Sequence, residues 1–327
     1  MGPLTGLKVL DFSTLLPGPF ATRQLADLGA EVLRIVSPRH PDLMQQFPTT
    51  DGYLNGDKRR VLLDLAEPGA RDQVRPLLGD YDIVLEQFRP GVMAKFGLDY
   101  ESLKADFPEL IYCSLTGYGQ TGPLKDKAGH DINYQALSGL ASYGGSERPQ
   151  LTSVPVADLA GSLNAVIAIL AAVHERHRTG RGRYLDVSMA ESALKLNAME
   201  APAVSAGTPS PEPGRGWLNG GLFYDYYQCA DGKWVSVGGL EPKFIQALCD
   251  GLERPEWVER FLDPSPARQQ ALKVDLQAVF AGEVRSVWLQ RLSGDCCVEP
   301  VLTLAEALQH PHFVERGVHK SFFRRLD

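Results

Sequence analysis

The apolar residues of this chain fall into short solid blocks set between longer stretches where they recur every three or four positions, the alternation expected of buried strands and amphipathic helices. "LKVLDFS" (7–13) reads as a strand, "PFATRQLADLGA" (19–30) as a helix stopping near Gly29, and "EVLRIV" (31–36) as a second strand. A helical run over Ala70–Leu78 precedes a third strand, "YDIVLEQF" (81–88), and the helical "DYESLKADF" precedes a fourth, "LIYCSLTG" (110–117). The long helix "DLAGSLNAVIAILAAVHERHRTG" (158–180) opens on Asp and closes on Gly180, and a fifth strand, "RYLDVSM" (183–189), follows it. Strands separated by helices favour a parallel sheet covered on both faces, so residues 1–190 read as an open, Rossmann-like α/β domain. Such sheets take their ligands beyond the carboxyl ends of the strands.

A further helix over roughly 190–206 leads into "GTPSPEPGRGWLNGG" (207–221), the densest Pro/Gly stretch, so residues 191–221 read as a linker helix and Pro/Gly linker. Beyond it the texture changes. "LFYDYYQCADGKWVSVGG" (222–239) reads as a hairpin turning at Asp231-Gly232, and helical segments follow at about 242–252, 266–281 and 283–293. Residues 222–308 are therefore expected to form a smaller α+β domain.

Composition narrows the function. A length of 327 residues, 44% apolar and 22% charged, describes an ordinary globular protein, and a net charge of -7 argues against nucleic acid or an anionic membrane as partner, leaving room only for a local basic pocket. The five cysteines are odd in number, show no C-x-x-C spacing and include the adjacent Cys296 and Cys297, which points to reduced thiols and a cytoplasmic home. The start, "MGPLTGLKVLDFS", has no leader pattern, and Gly6 stands where an N-myristoylation signal needs Ser or Thr. Ala165–Val173, the most apolar segment, is shorter than the roughly 20 residues of a membrane span and is expected to be a core helix.

Three motif matches fail in context. "GYGQTG" (117–122) follows a strand as a dinucleotide loop should, but Pro123 and the aperiodic "LKDKAGHD" offer no helix to hold a pyrophosphate. "HERH" (174–177) spaces its histidines three apart, not four, and suits the cationic last turn of a helix; "HPH" (310–312) has no third metal ligand nearby. No metal site is expected. His130 and Asp158 are harder to set aside. A lone histidine is more often structural than catalytic and Asp158 could be an N-cap, yet His130 lies just past a strand's carboxyl end and Asp158 at a helix start, where backbone N–H groups favour an anion. Together they supply two groups able to exchange protons, the minimum for chemistry on a carbon acid.

The opening "PLTGLKVLDFSTLLPGPFATRQLADLGAEVLRI" and the runs "DKRRVLLDL" (57–65), "FRPGVMAKFGLDYESL" (88–103), "LIYCSLTGYGQTGP" (110–123), "GHDINYQALSGL" and "HRTGRGRYLDVSMAES" (177–192) resemble the family III CoA-transferase (CaiB/BaiF) group along nearly the whole chain. The resemblance implies acyl-CoA thioesters as substrates, CoA being part of the substrate with no separate cofactor, and an interlocked homodimer. It also implies a catalytic Asp at Asp158, a nucleophile in the transferases and a proton carrier in the racemases. The histidine of "GHDINY", His130, and Glu241 of "GGLEPKF" (238–244) resemble the α-methylacyl-CoA racemase branch, as does "DCCVEPVLTLAEALQHPHFVERG" (295–317).

On that resemblance His130 and Asp158 would flank the α-carbon and alternate as base and acid, Glu241 would orient the imidazole, and the helix N-terminus after Asp158 would hold the enolate oxygen. Gly129, Asp131, Ile132, Asn133 and Tyr134 complete the substrate-binding motif. For the CoA phosphates the candidates are Lys58, Arg59, Arg60, Arg89 and Lys95, with Leu63, Asp64, Leu65 and Ala66 beside the nucleotide. Ser37 stands where several relatives carry Arg before the Pro, and Arg39 is its candidate replacement. Relatives continue beyond "SFFRRLD", so residues 309–327 are expected to return toward the large domain as a shortened segment. Two alternatives stay open: a family III CoA-transferase working through an Asp158 acyl anhydride, and a catalytically silent acyl-CoA-binding dimer.

Overall fold

The apolar blocks of the first half become strands β1 (Lys8–Asp11), β2 (Glu31–Val36), β4 (Ile83–Glu86), β5 (Ile111–Thr116) and β6 (Tyr184–Ser188), joined by a strand the hydrophobic pattern does not announce, β3 (Arg59–Leu62). In the computed structural model, which describes residues 2–144 and 148–322, all six pair in parallel in the order β3-β2-β1-β4-β5-β6. The order reverses between β1 and β4, which opens a crevice at their carboxyl ends. The sheet belongs to one of two compact units, Met1–Leu140, Leu151–Ala198 and Lys320–Asp327.

The longest helix, Val156–Thr179, covers one face of this sheet. Its buried stripe is rich in small residues (Ala157, Ala160, Gly161, Ala165), which lets it lie close: a Cβ at Gly161 would sit 2.6 Å from Met189 Cγ. Gly180 closes it in the left-handed conformation (φ +66°), and Arg176, His177 and Arg178 occupy its last turn, where cations complement the helix dipole. The apolar segment noted in the sequence is thus only the middle of a helix long and apolar enough to cross a bilayer. Half of its most apolar window is buried inside the protein, against the sheet and its neighbouring helices. The opposite face of the sheet is covered by a second cluster that includes Leu10, Leu33, Val74, Val84 and Tyr112.

One expectation needs correction here. The helix foreseen over 190–206 is broken into Met189–Lys195 and Ala201–Ser205, since Pro202 opens a new helix rather than continuing an old one. Of the return segment over 309–327, Phe322 stacks on Tyr53 at 5.2 Å, while 323–327 lie outside the described residues.

The second unit, Ala141–Gln150 and Met199–His319, holds a three-stranded antiparallel sheet with its strands in chain order. The hairpin is β7 (Asp225–Gln228) and β8 (Trp234–Val237), with Gly232 at φ +74° in its turn; β9 (Val298–Val301) is an edge strand that tolerates Pro300. Helices Pro242–Gly251, Pro266–Phe280 and Arg285–Arg291 pack on it around Phe280, Trp288 and Tyr227.

Lys58 is the clearest reversal of a residue's expected role. Its ammonium is buried, donating to Pro19 O (2.9 Å), Thr22 Oγ1 (2.7 Å) and Asn55 Oδ1 (2.9 Å), and it pairs with the buried Asp11 at 3.5 Å. Burial, only partly offset by Asp11, pushes its pKa down to about 8. It cannot serve a phosphate, because every donor direction is already spent inside the fold. Arg59, next in sequence, is exposed and pairs with Glu31 at 3.1 Å. Urea unfolding at pH 7 is expected to show Lys58→Met destabilised by about 3–5 kcal/mol, because Asp11 is left buried without its partner. Arg59→Ala should cost about 1 kcal/mol or less, and equal losses in the two variants would contradict this account.

Candidate active site

Two of the clefts along the carboxyl edge of the six-stranded sheet bring candidate residues together. The first, about 280 Å³, is bordered by Leu15 and Pro17 after β1, by Phe88 and Arg89 after β4, and by His130 and Asp158. The second, about 500 Å³, lies over β1, β2 and β3 and is bordered by Ser13–Leu15, Ile35–Ser37, Arg39 and Asp64–Ala66. Leu15 and Phe88 border both, so the two are neighbours with a common wall.

His130 begins the helix Asp131–Leu137. Its backbone is extended (φ -128°, ψ 173°), its N–H donates to Asn133 Oδ1 at 3.0 Å, and its side chain is exposed to the cleft. The loop before it is held by two tyrosines. Tyr134 donates to Gly129 O at 2.6 Å, and Tyr118 meets the Tyr134 ring edge-on at 5.2 Å. Glycine is required beneath them: a Cβ at 117 would fall 2.4 Å from Tyr134 Oη, and one at 129 would fall 2.8 Å from Tyr118 Oη. The "GYGQTG" loop has positive φ at Gly119 and Gly122 and runs to His130 through turns without a helix.

Asp158 lies in the first turn of the long helix, three residues after the N-cap position Pro155, and so does not cap it. The cap is Asp131, whose Oδ1 accepts from Ala157 N (2.7 Å) and Asp158 N (3.2 Å). The helix N-terminus expected to hold an enolate oxygen has therefore spent these donors on a carboxylate of the protein. Burial, followed by repulsion from Asp131, pushes the Asp158 pKa up to about 7. The carboxyl is thus able to hold or release a proton near neutrality.

The remaining candidates separate cleanly. Gly129 and Tyr134 line the first cleft with His130, whereas Asp131 and Asn133 are engaged in holding backbone and Ile132 is exposed outside the cleft-lining residues. Arg89 lines the first cleft; Asp64, Leu65 and Ala66 line the second, where Arg39 pairs with Asp64 at 2.8 Å. Arg59 and Arg60 lie on the exposed edge strand β3 and, with the half-buried Leu63 and the exposed Lys95, line neither cleft. Glu241 caps the helix Pro242–Gly251 in the second unit, where its carbonyl accepts from Phe244 N and Ile245 N.

Sequence reasoning passed over Gln87, Tyr118, Lys125 and Lys127, which also line the first cleft, and Glu86 behind it. Glu86 is buried at the end of β4, accepts from Phe88 N at 2.8 Å, and has its pKa raised to about 7, chiefly by burial. The signal available was position: Glu86 closes β4, Gln87 follows it, and Tyr118 follows β5.

The Asp158 shift carries a sign for stability. A carboxyl whose folded pKa is raised holds its proton more tightly folded than unfolded, so its contribution is fully present below about pH 4 and is lost as pH rises through about 7. Asp158→Asn removes that loss. Its stability relative to the parent is expected to grow between pH 4 and 7 and then level off in denaturant titrations; a difference independent of pH would show that the carboxyl titrates normally.

Comparison with known proteins agrees with this architecture. Residues 4–325 match the profile of CoA-transferase family III. The α-methylacyl-CoA racemase of Mus musculus is 38% identical over 319 residues, covering 96% of this chain and 81% of that protein. The succinyl-CoA:glutarate CoA-transferase of the same organism is 33% identical over 338 residues, 97% of this chain and 76% of that protein. A crystal structure of a CAIB/BAIF family protein from Brucella suis superposes with a TM-score of 0.85 at 31% identity, covering 97% of this chain and 88% of that one. On fold, length of match and identity together, this chain belongs to CoA-transferase family III.

Proposed function

We propose that the protein interconverts (2R)- and (2S)-2-methylacyl-CoA thioesters by two-base proton transfer through an enolate. The observation that carries this reading is the placement of His130 and Asp158 on one cleft, with the Asp158 carboxyl raised to about 7. Inversion at a carbon needs a proton taken from one face and one returned to the other, so each of two groups must be stable in both protonation states near the working pH. A carboxyl of ordinary acidity would be a poor acid at neutrality. The adjoining larger cleft is suited to the CoA nucleotide, which makes CoA part of the substrate, and Arg39 and Arg89 are the cations at hand for its phosphates. Glu241 is assigned the orientation of the His130 imidazole on the strength of the racemase-like segment around it. Similarity to the named racemase supports this choice of reaction.

A second reading, acyl transfer through an Asp158 anhydride, is kept because a named CoA-transferase is similar over the same span. It assigns no role to His130. The working unit is assigned as a homodimer, since the long helix leaves Leu163 and Ile167 exposed and the helix after β6 leaves Leu194 exposed, apolar surface of the kind that partners cover.

In D₂O, with no acceptor acid present, a 2-methylacyl-CoA is expected to gain deuterium at C2 while its thioester stays intact. His130→Ala should lower that exchange by about 10²–10⁴ with little effect on CoA affinity, Asp158→Asn at least as much, and Glu241→Gln only partly. A hydroxamate trapped at Asp158 by hydroxylamine, with C2 still protiated, would replace racemisation by acyl transfer. Sedimentation at low micromolar concentration is expected to give twice the chain mass of 35.8 kDa, and a monomer would overturn the dimer assignment.

A further inference from the structure

An enolate of a thioester carries its charge mainly on oxygen, and a buried oxyanion needs a donor already in place before the charge forms. The long helix does not offer the N–H groups of Ala157 and Asp158, both of which donate to Asp131. Four side chains on the first cleft besides the proton carriers end in exposed or amide donors: Gln87, Arg89, Lys125 and Lys127. Arg89 and both lysines are exposed on flexible stems, and Gln87 is anchored through its oxygen, which accepts from Gly18 N at 3.0 Å.

Tyr118 differs from all of them. Its ring is fixed edge-on against Tyr134, with 83° between the planes, and its hydroxyl rests over Gly129, the residue before His130, where a Cβ would come within 2.8 Å of it. The Tyr134 hydroxyl is spent on Gly129 O, whereas among the described residues the Tyr118 hydroxyl has no hydrogen-bond partner. A half-buried phenol beside His130, its proton committed to no protein acceptor among the described residues, can donate into the cleft, whereas Thr116 Oγ1, another unpartnered hydroxyl among the cleft's side chains, is shut off by complete burial.

We propose that Tyr118 is a catalytic residue whose O–H donates to the thioester oxygen and strengthens that bond as the enolate forms. The inference rests on the proton-transfer reading of this cleft. The C2–H bond breaks with its proton passing to His130 or Asp158, the electron pair moves through the new C1–C2 double bond onto oxygen, and the phenol keeps its own proton throughout. The opposite group then protonates C2 and the carbonyl is restored, with no other reactant consumed.

Tyr118→Phe tests this while keeping the ring contact with Tyr134, so thermal unfolding should be unchanged. C2 deuterium exchange is expected to fall about 10²-fold with KM and CoA affinity nearly constant, the loss typical of one oxyanion donor. An enolisable 3-oxoacyl-CoA, whose enolate absorbs in the near ultraviolet, should show a smaller enolate fraction bound to the variant than to the parent. An exchange rate and enolate fraction equal to the parent's would overturn the assignment, as would a loss found in Gln87→Ala or Lys127→Met but absent in Tyr118→Phe. No exchange in the parent itself would defeat the proton-transfer reading, and the donor role with it; exchange in the parent that survives in Tyr118→Phe defeats the donor role alone.

Discussion

The site depends first on one carboxylate, Asp131. It follows His130 in sequence, yet its Oδ1 accepts from the N–H groups of Ala157 and Asp158, so a single acceptor ties the loop bearing the histidine to the helical turn bearing the second acid. The spacing of His130 and Asp158 is therefore set across a tertiary hydrogen bond. Gln135, one turn along the same helix, donates to the other Asp131 oxygen and to Thr152 Oγ1 at 3.0 Å, which fixes the rotamer of the cap. A negative charge here also complements the dipole of a long helix. The consequence is paid in Asp158: a fixed neighbouring carboxylate, added to burial, makes ionisation harder.

A related device recurs along the carboxyl edge of the sheet. Loops leaving parallel strands carry N–H groups that the ladder no longer satisfies, and buried carboxylates take them up. Asp11 accepts from Ser13 N at 2.9 Å, Glu86 from Phe88 N at 2.8 Å and Asp64 from Ala66 N at 3.0 Å, each two residues on. Asp42, paired with the buried Arg34 at 3.0 Å, accepts from Leu15 N at 3.0 Å and holds that residue at φ +62°, a conformation disfavoured for leucine by roughly 1–2 kcal/mol. Leu15 and Phe88 are the two residues bordering both clefts. The wall shared by the clefts is thus built from backbone that acids hold in place, and its rigidity comes from the sheet beneath.

These particulars explain what the sequence could and could not disclose. β1, β2, β4 and β5 are legible because each is largely apolar and buried on both faces, and the edge strand β6 is legible from its place after the long helix though only partly buried, whereas β3 is exposed at all four positions and opens on two arginines, and β9 contains a proline that only an edge accepts. His130 and Asp158 stand out because their positions at element ends are visible from the strand and helix patterns. Lys58 misleads because a cation in the run "DKRR" looks the same whether it faces solvent or the core; only the packing of the helix Pro17–Asp27 against it decides. Asp131 was equally opaque, since its partner groups lie 26 and 27 residues away.

The same physics bears on which reaction this scaffold favours. A nucleophilic carboxylate must be ionised when it attacks, so an environment that raises its pKa to about 7 leaves a large protonated fraction idle at neutrality. A proton carrier gains from that environment, because it needs both forms in the course of one turnover and transfers best when its pKa is close to the surrounding pH. Removing Asp131's charge would push Asp158 toward the nucleophile's requirement, but it would also weaken the cap that positions the turn. Geometry and acidity are therefore coupled through one side chain, which both holds the helix start and raises the pKa of the carboxyl it positions.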